Sequence, residues 1–171
     1  KTQKQRKDFV CHLLNDIKAF EYMIENDVFE KGIQRAGAEQ ELCIVDKDYR
    51  PSFKALEILE KVNDPHLTTE LALFNLEINL DPFELTKDCF KKLENQLTEL
   101  LNKVNSVANE FDGDKIILTG ILPTLKKKDL VFKNMTPFER YKTLNNVIKS
   151  IRGKDFKLHL QGVEELIVKH E

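Results

Sequence analysis

Apolar residues recur every three or four positions between Asp8 and Glu25, at Phe9, Val10, Leu13, Leu14, Ile17, Phe20 and Ile24, which predicts an amphipathic helix with a docking face. The period then shortens to two. From Ala36 to Val45, the residues Gly37, Glu39, Glu41, Cys43 and Val45 alternate with Ala38, Gln40, Leu42 and Ile44, so this stretch predicts a strand with Glu39 and Glu41 on one face. Asp46-Lys47-Asp48 carries turn chemistry, and Ser52 stands where it would cap a short helix bearing Phe53, Leu56, Ile58 and Leu59, which Asn63-Asp64-Pro65 ends. The run from Leu67 to Leu80 divides near Leu71 to Leu73. Beyond that division Phe74, Leu76, Ile78 and Leu80 form an apolar face, and Asn75, Glu77 and Asn79 form a polar one.

Asp81-Pro82 interrupts the strand, and Thr86 is placed to cap a long helix with the stripe Phe90, Leu93, Leu97, Leu100, Leu101, Val104, Val107, Ala108 and Phe111, closed by Gly113. Lys115 to Thr119 predicts a short strand, followed by an irregular stretch opened by Gly120 and Pro123. Thr136-Pro137-Phe138-Glu139 combines a capping box with proline at the first helical position, so a helix is expected from Thr136 to Ile151, ended by Gly153. Asp155 to Gln161 and Glu165 to Val168 predict two more strands, a hairpin around Gly162. Strands and helices mix without strict βαβ alternation, which favours an α+β fold with a mostly antiparallel sheet and flanking helices.

Composition narrows the function classes. A chain of 171 residues, 41% hydrophobic and 33% charged, suits a single globular domain over residues 1–171. The formal charge of -2 gives no global field for nucleic acid, and the basic runs Lys1 to Lys7 and Lys126 to Lys128 are short and without interleaved aromatics, as solvated segments are. No apolar run approaches the roughly 20 residues that span a bilayer. Cys11, Cys43 and Cys89 are an odd, widely spaced set with no CxxC pair, which fits a reduced, cytoplasmic protein. His12, alone in its helix, takes no role.

The carboxylates carry the chemistry. If the two acidic strands pair in one sheet, Glu39, Glu41 and Glu77 come to a common surface, where like charges repel unless a hard divalent cation neutralises them. Magnesium held by carboxylates keeps positions for phosphate oxygens, which points toward nucleotide chemistry. Taken alone, Glu-x-Glu on a half-exposed strand is more often a solvated sheet face; the company of Glu70, seven residues before Glu77, shifts the balance.

Gly37-Ala38-Glu39-Gln40-Glu41 resembles the G-x-E-x-E strand of glutamate-cysteine ligases and related bacterial carboxylate-amine ligases. Glu70 with Leu76-Glu77-Ile78-Asn79 resembles the family's second acidic segment, and Gly120-Ile121-Leu122-Pro123 its Gly-x-x-Pro turn. The similarity is strong over residues 30 to 125. It implies a glutamine synthetase-like fold, of which this chain would be the amino-terminal part, with an antiparallel sheet as the floor of a funnel for ATP and magnesium or manganese. It also implies that Glu39, Glu41, Glu70 and Glu77 ligate metal, directly or through water, and that glutamate is joined to cysteine or another amine through an acyl phosphate. Leu158-His159-Leu160-Gln161 is similar to a strand whose histidine contacts nucleotide or metal, so His159 is a nucleotide-binding candidate. Where the family carries a threonine soon after the second strand's glutamate, this chain has Asn79-Leu80-Asp81-Pro82. The resemblance leaves the catalytic residues unassigned and has the rest of the funnel come from further chain or a partner chain. The alternative expectation is a non-catalytic binding or regulatory module with the same fold; a metal-dependent phosphodiester hydrolase, lacking a basic surface here, ranks last.

Overall fold

The computed structural model describes residues 2–152, 157–161 and 165–169, with side chains through residue 148 and at residue 150. Its helices are α1 (Gln3–Glu25), α2 (Ala55–Val62), α3 (Cys89–Asn109) and α4 (Glu139–Arg152). The strands are β1 (Arg35–Ala36), β2 (Glu39–Val45), β3 (Leu67–Thr69), β4 (Asn75–Asn79), β5 (Phe83–Glu84), β6 (Lys115–Ile117), β7 (Lys157–Gln161) and β8 (Glu165–Lys169). The central sheet has the order β3-β4-β2-β6, and every neighbour is antiparallel. Two ribbons, β1 with β5 and β7 with β8, are also antiparallel. The fold is α+β, as the alternating periods predict.

Register places the core. Leu42 lies opposite Leu76 and Gln40 opposite Ile78, so one face presents Leu42, Ile44, Leu76 and Ile78, all fully buried. Ala55, Ile58 and Val62 of α2 and Cys89, Leu93, Leu100, Val104 and Ala108 of α3 pack on that face. At roughly 25 cal/mol per Å² of apolar surface, each buried leucine or isoleucine contributes about 2 kcal/mol, so these two helices and the sheet form the stable nucleus of the chain. The opposite face is divided. Cys43 and Val45 are covered by Leu122, Ile117 and Leu125, whereas the end bearing Glu39 and Glu41 is open. The Arg50 guanidinium ties the covering segment down through the Asp129 carboxylate and the Thr124 carbonyl.

Several boundaries differ from the pattern-based expectation. α1 begins five residues earlier, because Thr2 and Gln5 form a capping box outside the apolar stripe. Residues 36–45 are two strands: Gly37 and Ala38 separate β1, which pairs with β5, from β2. Ser52 caps nothing; its hydroxyl donates to the buried Asp114 carboxylate, and α2 starts at Ala55 after Lys54. Likewise α3 starts at Cys89, Thr86 donates to Asp88, and Phe90, expected in the stripe, is 70% exposed while Cys89 takes the core position. Gly113 does occupy a left-handed conformation (φ +79°) just past α3, and its N–H bonds to the Asn109 carbonyl. The capping box at Thr136 does not form: α4 begins at Glu139, and the Thr136 hydroxyl is used elsewhere. Gly153 and the turn around Gly162 lie outside the described residues.

One polar cluster pins α3 to the sheet edge. His66 Nδ1 is 2.9 Å from Asp64 Oδ1 and its Nε2 is 3.2 Å from Asp81 Oδ2, while Lys103 of α3 reaches Asp64 at 2.7 Å. Gln96 of α3 completes it, donating to Asp81 at 2.6 Å. The bond to Asp64 raises the His66 imidazolium pKa above its ordinary value, against an opposing effect of burial and with further help from Asp81. Lys103 foremost, and His66 after it, hold the Asp64 carboxyl down to about 2. The histidine contribution is therefore complete below about pH 6.5 and lost as pH rises through its raised value; the aspartate contribution is complete above about pH 4 and lost as pH falls toward its lowered one. His66→Asn is accordingly expected to lower the melting temperature more at pH 5.5 than at pH 8.5. An equal loss at both values in calorimetric scans would remove the protonated histidine from this account.

Candidate metal centre

Register builds the strand part of the open polar face. Antiparallel pairing sets Glu41 of β2 directly across from Glu77 of β4, and Glu77 across from Thr68 of β3. Glu70 follows the last residue of β3, and its carboxylate comes to the same face beside Glu77. Carboxylate oxygens of Glu41, Glu70 and Glu77 consequently lie within 4.8 Å of one another, Glu41 exposed and the other two half-buried. Glu39 occupies the same face, two residues along β2 and opposite Asn79, outside that cluster.

Glu70 is held by its surroundings rather than by a strand. The chain turns after β3, and the segment before α4 crosses beside that turn: Leu73 N–H donates to the Asn134 carbonyl and Thr136 N–H to the Leu71 carbonyl. The Thr136 hydroxyl, almost fully buried, donates to the Glu70 carbonyl. Thr136 thus anchors the backbone of one acid of the cluster across 66 residues of sequence. Its pairing with Pro137 and Glu139 suggests a helix cap, and no local signal reveals the tertiary role.

Electrostatics follow from the crowding. Burial pushes the Glu70 carboxyl above its ordinary value; a hydrogen bond shared with Glu77 and the charges of Glu77 and Glu41 push it further, against the opposing Leu71 N–H. Glu77 accepts a hydrogen bond from Asn79 Nδ2 at 2.8 Å. Asn79 stands two positions along the same strand face, so alternation could have identified it as a positioning residue for Glu77. Beside the acids on the same face, burial pushes the Cys43 thiol up; Asn75 opposes this, its amide donating to Cys43 at 3.3 Å, and the Glu41 charge adds to it. Cys43 therefore stays a neutral thiol rather than a nucleophile.

The donor set is all carboxylate oxygen, with an amide bracing one acid, and it suits a hard divalent cation of the magnesium or manganese kind better than a soft metal. An added Cβ at Gly37 would make only ordinary contacts, with the Leu80 carbonyl oxygen and Pro82 at 3.9 Å, so packing between β1 and β2 does not demand glycine at that place in the motif. Gly120-Ile121-Leu122-Pro123 forms the bend that covers Cys43: Leu122 is buried, Ile121 is exposed, and the Thr119 hydroxyl donates to the Ile121 carbonyl. His159 lies on β7 opposite Ile167, and its side chain is outside the described residues. Lys126, Lys127 and Lys128 are exposed, as expected of a solvated run, although Lys127–Asp129 form a short 3-10 turn rather than a loop. Among the described residues no helix is long and apolar enough to cross a membrane.

Comparison with protein-family models, with curated proteins and with solved structures gives no match for this chain.

Proposed function

We propose that this chain is the amino-terminal part of an ATP-dependent carboxylate-amine ligase of the glutamate-cysteine ligase kind, built on a glutamine synthetase-like sheet. The observation that carries the reading is the convergence of Glu41, Glu70 and Glu77 within 4.8 Å on an open sheet face. Those three would hold magnesium or manganese, and Glu39, farther along β2, would act through water. When bound, such an ion offsets negative charge on the phosphates of ATP. The chain's own residues supply a rigid floor. Leu42, Ile44, Leu76 and Ile78 lock the sheet from below, Asn79 orients Glu77, and Thr136 fixes the backbone of Glu70. Rigid placement matters because phosphoryl transfer depends on holding the attacking carboxylate in line with the phosphate. Substrates would be ATP, glutamate, and cysteine or another amine, and a cytoplasmic setting supplies ATP and keeps the thiols of Cys11, Cys43 and Cys89 reduced.

Calorimetric titration with manganese or magnesium and a non-hydrolysable ATP analogue tests this. Saturable binding that disappears in the Glu41→Gln/Glu77→Gln double variant is the expected result. Equal binding by parent and double variant would reject the site, and the absence of metal and nucleotide binding by the parent would reject the ligase reading.

A second reading, a non-catalytic binding module on the same fold, draws on α4. That helix leaves Leu144, Val147 and Ile148 between 41% and 52% exposed, an apolar stripe available to a partner. By contrast, the stripe of α3 is spent on the core.

A further inference from the structure

Among the described residues nothing buries a side chain of α1, yet the helix carries a continuous apolar stripe from Phe9 to Ile24. Val10, Leu13, Ile17, Phe20 and Ile24 alternate by three and four, flanked by Phe9 and Leu14, and each is 46% to 64% exposed. That spacing is the narrow seam with which one helix packs along another, with β-branched Val10 and Ile17 at one set of positions and Leu13 and Phe20 at the other. Phe20 also meets Phe29 edge-on at 5.8 Å, and both rings stay exposed. A 23-residue helix, about 34 Å long, is marginal in water without a surface against that seam.

The charges specify the surface. Lys4, Arg6 and Lys7 crowd the amino end and Glu21 and Glu25 the carboxyl end, with no acid in the first turn and no base in the last. Each set opposes the helix's own macrodipole, the reverse of what a solitary helix favours. Among the described residues none of these five side chains is ion-paired. A segment whose charges destabilise it alone is complementary to its own reverse.

We propose that α1 is a self-association surface that packs antiparallel against α1 of a second copy of this chain. Antiparallel packing lays the basic first turns of each helix beside the acidic last turns of the other and cancels the two macrodipoles. Centred on Asn15, it also layers Val10 with Phe20 and Leu13 with Ile17 across the two-fold axis, the alternation that antiparallel seams require. Parallel packing would instead set Lys4, Arg6 and Lys7 against their own copies. An anionic membrane would attract the amino end and repel Glu21 and Glu25.

Sedimentation velocity of the full chain at low salt, from about 1 to 200 µM, is the test. The parent is expected to dimerise and Leu13→Asp/Ile17→Asp to sediment as a monomer with an unchanged thermal transition of the core, since α1 buries nothing there. Lys4→Glu/Lys7→Glu is expected to weaken the dimer by about tenfold or more. Adding Glu21→Lys/Glu25→Lys to that variant should restore it, because the complementarity is then reversed rather than lost. A parent that stays monomeric throughout overturns the proposal, and so does a dimer indifferent to Leu13→Asp/Ile17→Asp. Loss with the aspartates but no response to the charge changes overturns the antiparallel arrangement, and a monomer that binds phosphatidylserine vesicles through α1 assigns the seam to a membrane instead.

Discussion

Glu77→Gln is expected to make the metal-free protein more stable, raising its melting temperature by roughly 2–4 °C, while abolishing the further rise that manganese or magnesium gives the parent. The sign follows from the crowded carboxylates. Two unit charges about 4 Å apart repel by roughly 4 kcal/mol at the effective dielectric of a protein surface, and solvent around the exposed Glu41 reduces what is felt to about 1 kcal/mol. Glutamine removes one charge but keeps the side-chain oxygen that accepts from Asn79, so the packing of β4 is undisturbed. The pH dependence gives an independent check. Glu70 titrates above its ordinary value of 4.5, so the folded state binds the extra proton, and metal-free stability falls as pH rises through that raised value. The advantage of Glu77→Gln should thus appear above that window and shrink at pH 4. Scanning calorimetry with and without metal measures both arms. A variant less stable than the parent without metal, or one that keeps its metal-induced gain, would show that repulsion among these acids is not the governing term.

Leu76→Ala carries the largest expected stability loss, about 2–5 kcal/mol, which is a large share of the roughly 5–15 kcal/mol that holds a domain together. Leu76 is fully buried, opposite Leu42, between the sheet and its two helices, so truncation leaves a cavity that a close-packed core cannot fill. For a chain of this length the melting temperature should drop by roughly 5–20 °C. Leu71 makes the matching control: 46% exposed in the turn between β3 and β4, it should change stability by no more than about 0.5 kcal/mol when truncated. Denaturant unfolding of the pair distinguishes them. If both cost the same, the burial asymmetry that defines the sheet's two faces is absent in solution.

The alternating letters of β4 displayed its two faces directly, since Phe74, Leu76, Ile78 and Leu80 are buried as their spacing requires. Glu39 and Glu41 were visible as same-face residues for the same reason. Their partnership with Glu70 was legible only as a seven-residue interval before Glu77, and the interval says nothing about register. Shifting the β2–β4 pairing by two residues would have put Glu39 rather than Glu41 across from Glu77 with every apolar residue still inward. Cap signals misled most. Ser52, Thr86 and Thr136 have the chemistry of helix caps, but each hydroxyl found another partner, in Asp114, Asp88 and Glu70. A hydroxyl bonds whichever acceptor the fold delivers, and two of those three acceptors lie more than 60 residues away in sequence.

Periodicity, then, determined by itself which segments are helix or strand, which face of each is apolar, and that acids line a sheet face, because those properties follow from backbone geometry repeated every two or 3.6 residues. Tertiary structure decided which acids meet, that Thr136 anchors Glu70, and that none of the described residues buries the seam of α1. These outcomes depend on strand register and on contacts between distant segments, energies that no local window of sequence contains.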